Sequence, residues 1–507
     1  MMPVRSMAFS FGRRAMLEPD APALTFGAET WSYAAMRRRI AAMVAVLGAH
    51  DVTQGDRVGT LAGNHPDILV TMFAVSAIGA VLVPLNIRLA PGEVAYIAGD
   101  ADLALVVGDR AGADLIATVK NDIPSRGWLL IDAAAPGWID LSAALSDATP
   151  DFAIADTPAE ALAAIVYTSG TTGRPKGAML SNANIWSNDL NWILSSDIAR
   201  SDVALIGAPL FHVGGLFVLT SATFLVGGHV VLLPGFDAGA AIDAIERHGV
   251  TTTFGVPAMM LFMRQHHRFD QADLSSLRLY IAGGAPVAEP MLHDYAARGI
   301  PVSQCYGLSE ATSATVFLET SRAFDKLGSA GRAGMLADIR LIDAAGAIVT
   351  APGEKGEICV RGGNVSPGYW RNPEATAKAI DGEGWLRTGD VGTLDAEGFL
   401  TVCDRVKDMI ITGGENVYPA EVESRLFEHP AIANVAVIGR PDERWGERVV
   451  AVAVVHVGRS IDLEGLQAFC AGRLARYKIP RELHLLDALP LNGSGKVAKI
   501  VLRKTFG

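Results

Sequence analysis

In the run Tyr167-Thr168-Ser169-Gly170-Thr171-Thr172-Gly173-Arg174-Pro175-Lys176-Gly177, four hydroxyl side chains and two glycines precede a lysine, and a third glycine follows it. Glycines let successive backbone N–H groups turn inward around an anion, hydroxyls add donors, and the lysine adds a full positive charge. That composition suits the holding of a polyphosphate. It is not a Walker A loop: counting from Gly170, Pro175 stands where the second glycine belongs, and Gly177 rather than Ser or Thr follows Lys176. The apolar run from Ala161 to Val166 ahead of the loop reads as a buried strand.

Further motifs follow in a fixed order: Pro209-Leu210-Phe211-His212, Ala282-Gly283-Gly284-Ala285-Pro286, Tyr306-Gly307-Leu308-Ser309-Glu310, Trp385-Leu386-Arg387-Thr388-Gly389-Asp390, Asp404-Arg405-Val406-Lys407-Asp408, Gly413-Gly414-Glu415-Asn416 and Asn492-Gly493-Ser494-Gly495-Lys496. Together they resemble the acyl-adenylate-forming superfamily, from about Thr25 to Lys496. The nearest look is to bacterial medium- and long-chain fatty-acyl-CoA synthetases and their aryl-CoA cousins. The resemblance implies a ligase working in two halves. A carboxylate attacks the α-phosphate of ATP to give acyl-AMP and pyrophosphate; the thiol of coenzyme A then attacks the acyl carbonyl and expels AMP.

The resemblance also implies roles. Thr168, Ser169, Gly170, Thr171, Thr172, Gly173 and Lys176 would hold the β- and γ-phosphates, and Glu310, with Thr168, would bind Mg²⁺. The family's usual threonine before that glutamate is here Ser309, which keeps the hydroxyl. Asp390 would accept the ribose hydroxyls, and Arg405 would lie near the ribose or phosphate. Gly283, Gly284 and Ala285 would leave room for the adenine, with Tyr306 and Gly307 beside it and Tyr306 stacked on the base. Lys496 would swing in to bridge the α-phosphate and the acyl carboxylate, stabilising the charge that develops there. One orientation of the tail cannot serve both halves, so the C-terminal domain would rotate about Lys407. Gly413 and Gly414 would then line a passage for the pantetheine arm, with Trp445 at the coenzyme A end.

The acyl pocket would be formed by His212, Gly214, Phe254, Val256, Met259 and Ala311, with openness expected beside Gly214 and Gly215. Its walls are apolar and carry no Arg or Lys to pair with a second carboxylate, which disfavours diacids. A fatty acid is the leading substrate expectation. An aryl acid is the alternative, for which the hydroxyls of Ser309, Thr312, Ser313 and Thr315 would be suited unless they satisfy nearby backbone. Adenylation with an acceptor other than coenzyme A also stays open.

These residues need a scaffold, and the chain is long enough to supply one. Its 507 residues are half hydrophobic and 19% charged, which allows a large core. The net charge of −11 argues against nucleic acid as a partner. The four cysteines are far apart and suit a reducing compartment better than a disulfide framework or a zinc site. The start has no secretory core, so a cytoplasmic location is expected. Ile68 to Leu85 and Gly214 to Phe236 are almost uncharged, but internal Gly and Pro break each of them. Each is read as buried helix, glycine turn and buried strand, leaving no integral membrane segment. A homodimer is left open.

Strand-like runs alternate with helical ones over most of the chain, which predicts α/β layers with largely parallel sheets. Met36, Ile40, Met43 and Leu47 repeat at helical spacing behind Ser32, and Arg37-Arg38-Arg39 on that helix is read as a solvated face. Beyond about residue 335, short strands predict a small barrel-like β unit. A small mobile α+β domain follows, with helices from Pro419 and from Leu463 to Leu474. The expected division is 1–404 for nucleotide and acid, and 405–507 for the adenylation lysine and the coenzyme A tunnel face.

Overall fold

The computed structural model describes residues 6–131, 135–150, 152–168, 175–405, 408–412, 415–442, 444–471, 473–492 and 496–506. Ser169, Gly170, Thr171, Thr172, Gly173, Lys407, Gly413 and Gly414 lie outside them. Among the described residues the strands form four sheets. In the largest, six strands run parallel side by side: Pro22–Phe26, His229–Leu232, Val203–Ile206, Thr252–Gly255, Leu279–Ala282 and Val302–Tyr306. A second sheet is parallel from Ile139–Asp140 across to Leu162–Thr168 and closes on the antiparallel strand Lys176–Ser181. Parallel strands send their carboxyl ends to one edge, where open α/β sheets place ligands. Here that edge receives Phe254 to Val256, Ala282 to Gly284, and Tyr306 to Gly307 in succession.

The helix–turn–strand readings hold. Pro66–Ile78 is buried on all but its last residue, stops at the left-handed Gly79, and returns as Val81–Pro84. The second apolar run folds as a π-helical turn Gly214–Val218, the helix Thr220–Val226, a left-handed Gly227 and the strand His229–Leu232. None of the helices among the described residues is long and apolar enough to cross a membrane. Ser32 caps the helix Tyr33–Ala49 by accepting from the Ala35 N–H. All four cysteines are free.

Two local expectations need correction. The arginine run is not a plain solvated face. Arg39 makes a two-pronged ion pair with Asp67 (2.5 and 2.8 Å), a carboxylate that is 1% exposed, and Arg37 lies over the Phe152 ring at 4.7 Å. The buried carboxylate demands a partner, and the fork of a guanidinium supplies it. The C-terminal helix from Leu463 stops at Cys470, short of Leu474, because Ala471 adopts extended backbone and bridges to Leu474.

The β unit is an antiparallel five-stranded sheet that includes Ala337–Ile342, Lys355–Gly362, Leu386–Leu394 and Leu400–Arg405. The last sheet, centred on the long hairpin Ile432–Asp442 and Gly446–Val455, carries the helix Pro419–Phe427. The last strand of the β unit ends at Arg405, and the first strand of this sheet begins at Ile410. Lys355 of the β unit lies over the Tyr418 ring at 3.7 Å, and Phe427 packs against the core of the large sheet.

One buried acid has a measurable consequence. Asp189, on the helix Asn182–Ser196, is 4% exposed; burial pushes its carboxyl up to about 7, although Ser221 (2.6 Å) and Asn188 donate to it. Between roughly pH 4 and 7 the folded chain therefore keeps a proton that the unfolded chain has lost. Stability from this group is complete below the unfolded value and falls as pH rises to about 7. Asp189→Asn, which retains an acceptor for Ser221, is expected to raise stability by roughly 2–4 kcal/mol at pH 8, with the gain shrinking towards pH 5. Denaturant titrations at both pH values check this; a gain that does not change with pH contradicts it.

Candidate active site

The strands Leu162–Thr168 and Lys176–Ser181, which flank the polyphosphate-type sequence, pair as the two arms of an antiparallel hairpin. Thr168 and Lys176 are cross-strand partners at its mouth. A Cβ on Gly177 would meet Ile165 at 2.5 Å and the Tyr167 ring at 3.1 Å, so the glycine after the lysine serves packing of the hairpin. Opposite the hairpin mouth, the turn Ser309–Ala311 presents Glu310. Thr168 Oγ1 and Glu310 Oε1 are 3.3 Å apart.

One carboxylate and one hydroxyl make an all-oxygen donor pair. This fits Mg²⁺, which takes few protein ligands and completes its shell with water and phosphate oxygens. Among the described residues no cluster of three or more His, Cys, Asp or Glu side chains offers a full protein cage for a metal. Glu310 and Lys176 share a neighbour that the sequence reading missed. Tyr369 donates its hydroxyl to Glu310 Oε1 (2.8 Å), and its ring lies under the Lys176 ammonium at 5.4 Å. Burial, the Glu310 charge and this hydrogen bond all raise the phenol above its ordinary value, so it stays a donor.

Asp390, on the strand Leu386–Leu394, is buried and accepts from the Tyr306 hydroxyl at 2.7 Å. Tyr306 is thus 8% exposed and tethered through its oxygen to the carboxylate. Arg405 pairs with Asp390 along the backbone of the neighbouring strand. Gly283 is flush with Cys305, whose thiol burial pushes up to about 12, leaving it a neutral packing group. Gly284, Ala285 and Pro286 are exposed and form an open shelf. Gly284 has φ +86°, and a Cβ there would meet Lys496 Cε at 3.1 Å and Val256 at 3.4 Å. Lys496 is held in a tight turn: its N–H donates to Asn492 Oδ1 (3.0 Å), and its carbonyl accepts from the Asn492 N–H (2.7 Å). A lysine more than 200 residues along the chain from the Gly283-Gly284 motif therefore sits on it.

The acyl-pocket expectation is altered. Space beside Gly214 and Gly215 is not open. A Cβ on Gly214 would meet the Phe254 ring at 2.8 Å, and one on Gly215 would meet the Pro209 carbonyl at 2.2 Å. These glycines make room for the chain's own ring and backbone. Phe254 spans from Gly214 to Gly283, where its ring comes within 3.3 Å of the Cβ position. Val256 and Met259 join Phe254 in the same core cluster, whereas Met260 faces the opposite one. His212 lies in the turn that leads into Gly214, beside the Phe211 ring at 4.8 Å. Ala311 is fully buried. The neighbouring hydroxyls serve the protein itself: Thr312 donates to Asn364 O, Thr315 accepts from Asn364, and Ser313 joins Trp192 and Asn188. In the turn just ahead of the strand Gly446–Val455, Trp445 is half-buried between Arg444 and Arg481, each about 5 Å from its ring (4.9 and 5.0 Å). That cationic, aromatic face suits an anionic nucleotide end.

Ser366-Pro367-Gly368-Tyr369-Trp370 was the available signal for the missed residue: a tight turn delivering two aromatics from the β unit.

Comparison with known proteins accords with this arrangement. The family model for AMP-binding enzymes matches residues 11–370, and that for the AMP-binding enzyme C-terminal domain matches 421–496. The chain is 42% identical to a feruloyl-CoA synthase of Amycolatopsis sp over 98% of both chains. It is 41% identical to the indoleacetate–CoA ligase of Aromatoleum aromaticum over 97% of this chain and 98% of that one. Among solved structures, a Mycobacterium tuberculosis fatty acyl CoA synthetase superposes with a TM-score of 0.78 at 34% identity, covering 99% of this chain and 98% of the other. The chain belongs to the AMP-binding enzyme family, among its AMP-forming acyl- and aryl-CoA ligases.

Proposed function

We propose that the chain activates an aromatic carboxylic acid as its acyl-adenylate and transfers it to coenzyme A. The observation that carries the adenylation half is Lys496 seated on the Gly284 shelf, just past the carboxyl end of the parallel strand Leu279–Ala282. Thr168 and Lys176 steady the phosphates, Asp390 fixes the ribose, and Lys496 neutralises charge where acid and α-phosphate meet. Bound Mg²⁺, held by Glu310 with Thr168, would supply charge neutralisation across the phosphate oxygens. His212 lies at the mouth of the acid pocket.

The division between the two domains falls at the end of the strand Leu400–Arg405, one residue later than the expected 404–405 boundary because Arg405 still pairs with Asp390, and the hinge at Lys407. On rotation Lys496 withdraws, Gly413 and Gly414 flank the thiol arm, and Trp445 with its two arginines meets the coenzyme A end. The location proposed is cytoplasmic.

The aromatic reading is supported by Phe254, whose ring takes up the room beside Gly214 that a long chain would need, and by the two aryl-acid relatives. A fatty acid is the second reading, favoured by the likeness to the mycobacterial synthetase. A panel of arylpropenoic, arylacetic and saturated acids from hexanoate to hexadecanoate, read by pyrophosphate exchange and coenzyme-A-dependent thioester release, separates the two. Aryl acids are expected to lead in kcat/KM by at least about tenfold, or ~1.4 kcal/mol. Preference for hexadecanoate selects the second reading, pyrophosphate release without a thioester selects another acceptor, and no exchange with any acid overturns adenylation itself.

A further inference from the structure

The segment from Gly363 to Trp370 crosses from the β unit to the nucleotide site and ties four parts of it together. Asn184 donates to the carbonyls of Gly363 and Val365 at 2.9 and 2.8 Å. Fully buried Asn364 donates to Ala311 O, Ala314 O and Thr315 Oγ1 at 3.0–3.1 Å, and the Ser366 N–H donates to Glu310 O at 2.8 Å. The phosphate hairpin is gripped next: the Met179 N–H donates to Gly368 O (3.0 Å), and the Trp370 N–H donates to Gly177 O (2.7 Å). Trp370 Nε1 finally reaches Asp100 O at 3.1 Å. Tyr369 is the one side chain of this strap that meets both charged groups of the site.

Its placement solves an electrostatic problem. Glu310 and Lys176 are opposite charges on facing edges, and left alone they would pair and neutralise each other. Each is needed charged, the first for a cation and the second for phosphate. Tyr369 gives each a different partner: a hydroxyl donor for one carboxylate oxygen, and an uncharged π face for the ammonium. Glu310 Oε1 takes both the Tyr369 and Thr168 hydroxyls, so the carboxylate is held in one rotation.

We propose that Tyr369 is a positioning residue for adenylation: its hydroxyl orients Glu310, and its ring keeps Lys176 from collapsing onto that carboxylate. This rests on the ATP-dependent reading above, and a binding measurement that needs no acid keeps the two separable. ATP affinity is measured by calorimetry in EDTA and in MgCl₂ for the wild type, Tyr369→Phe, Tyr369→Leu and Trp370→Phe, the last a control for loosening of the strap.

Tyr369→Phe keeps the ring. It is expected to bind ATP in EDTA as the wild type does and to lose about tenfold of the affinity gained from Mg²⁺. Tyr369→Leu is expected to weaken ATP binding in EDTA as well, by about tenfold, because Lys176 is then drawn to Glu310. In pyrophosphate exchange, the Mg²⁺ concentration for half-maximal rate should rise about tenfold in Tyr369→Phe. An unchanged Mg²⁺ gain in Tyr369→Phe, or an equal loss in Trp370→Phe, overturns the proposal. A wild-type chain whose ATP binding gains nothing from Mg²⁺ overturns it together with the adenylation reading. A wild type that shows the gain but exchanges no pyrophosphate overturns only the latter.

Discussion

Lys496→Ala is expected to slow acyl-AMP formation by about 10²–10³-fold while leaving thioester formation from supplied acyl-AMP within a few-fold of the wild type. The asymmetry follows from where the lysine sits. Its turn is built from the C-terminal tail, with Asn492 closing both backbone hydrogen bonds, and its side chain rests on the Gly284 shelf of the other domain. A charge delivered from a separate body can be present for one half-reaction and absent for the next. Truncation removes the charge without disturbing the pocket that binds nucleotide, so ATP affinity should change little. Gly284→Ala is the complementary test. At φ +86° a side chain is strained, and its Cβ would crowd Lys496 Cε at 3.1 Å. It should therefore impair the same half-reaction with the lysine intact. Pyrophosphate exchange and coenzyme-A-dependent release from synthetic acyl-AMP measure the halves separately; equal losses in both would sink the assignment.

What the sequence made legible, and what it hid, divides along the range of the forces involved. Helix and strand identities were readable because they depend on local periodicity and punctuation. Ser32 ahead of the spaced Met36, Ile40, Met43 and Leu47 gave a capped helix, and Gly79 and Gly227 marked the returns into strands. The composition of the phosphate-type loop points to a narrow chemical use, but residues 169–174 lie outside the described residues. Contacts across long separations were not readable. Nothing near Arg39 in the sequence announces that its partner is a buried aspartate on the next helix. The glycines at 214 and 215 looked like room for a ligand because a sequence records only the missing side chain, not the Phe254 ring and Pro209 carbonyl that fill the space. Tyr369 escaped for the same reason. Its two partners are 59 and 193 residues away, and only the strap from the β unit brings all three together. Lys496 stood out in its glycine-bounded loop, but that its side chain lies against Gly284 was not legible in the sequence.

Gly307→Ala is expected to cut kcat/KM for adenylation by about 10²-fold through geometry alone. A Cβ at this position would lie 2.2 Å from the Ser313 carbonyl oxygen and 2.4 Å from the Ala314 Cα. Both are backbone atoms, so no side chain can rotate to make room. The chain between Tyr306 and Thr315 doubles back on itself, with the Thr315 N–H bonded to Tyr306 O at 3.0 Å, and Glu310 stands on the tip of that turn. Relief of the clash requires the turn to move by about 1 Å, which is the scale of misplacement that costs two orders of magnitude when a reacting pair must be aligned. Asn364 and Ser366 resist the movement because they hold the far side of the turn through Ala311, Ala314 and Glu310 carbonyls. The strain therefore concentrates at the Glu310 carboxylate and its contacts with Thr168 and Tyr369. Two features distinguish this from general damage. The dependence on Mg²⁺ should shift along with the rate, since the displaced group is the proposed cation ligand. Gly48→Ala, near the end of the helix Tyr33–Ala49 with nothing within 4 Å of the new methyl, should leave activity unchanged and stabilise by up to about 1 kcal/mol. Circular dichroism and Mg²⁺-titrated pyrophosphate exchange on both variants check this, and a Gly307→Ala enzyme with wild-type rate and wild-type Mg²⁺ response would mean that Glu310 does not depend on this turn.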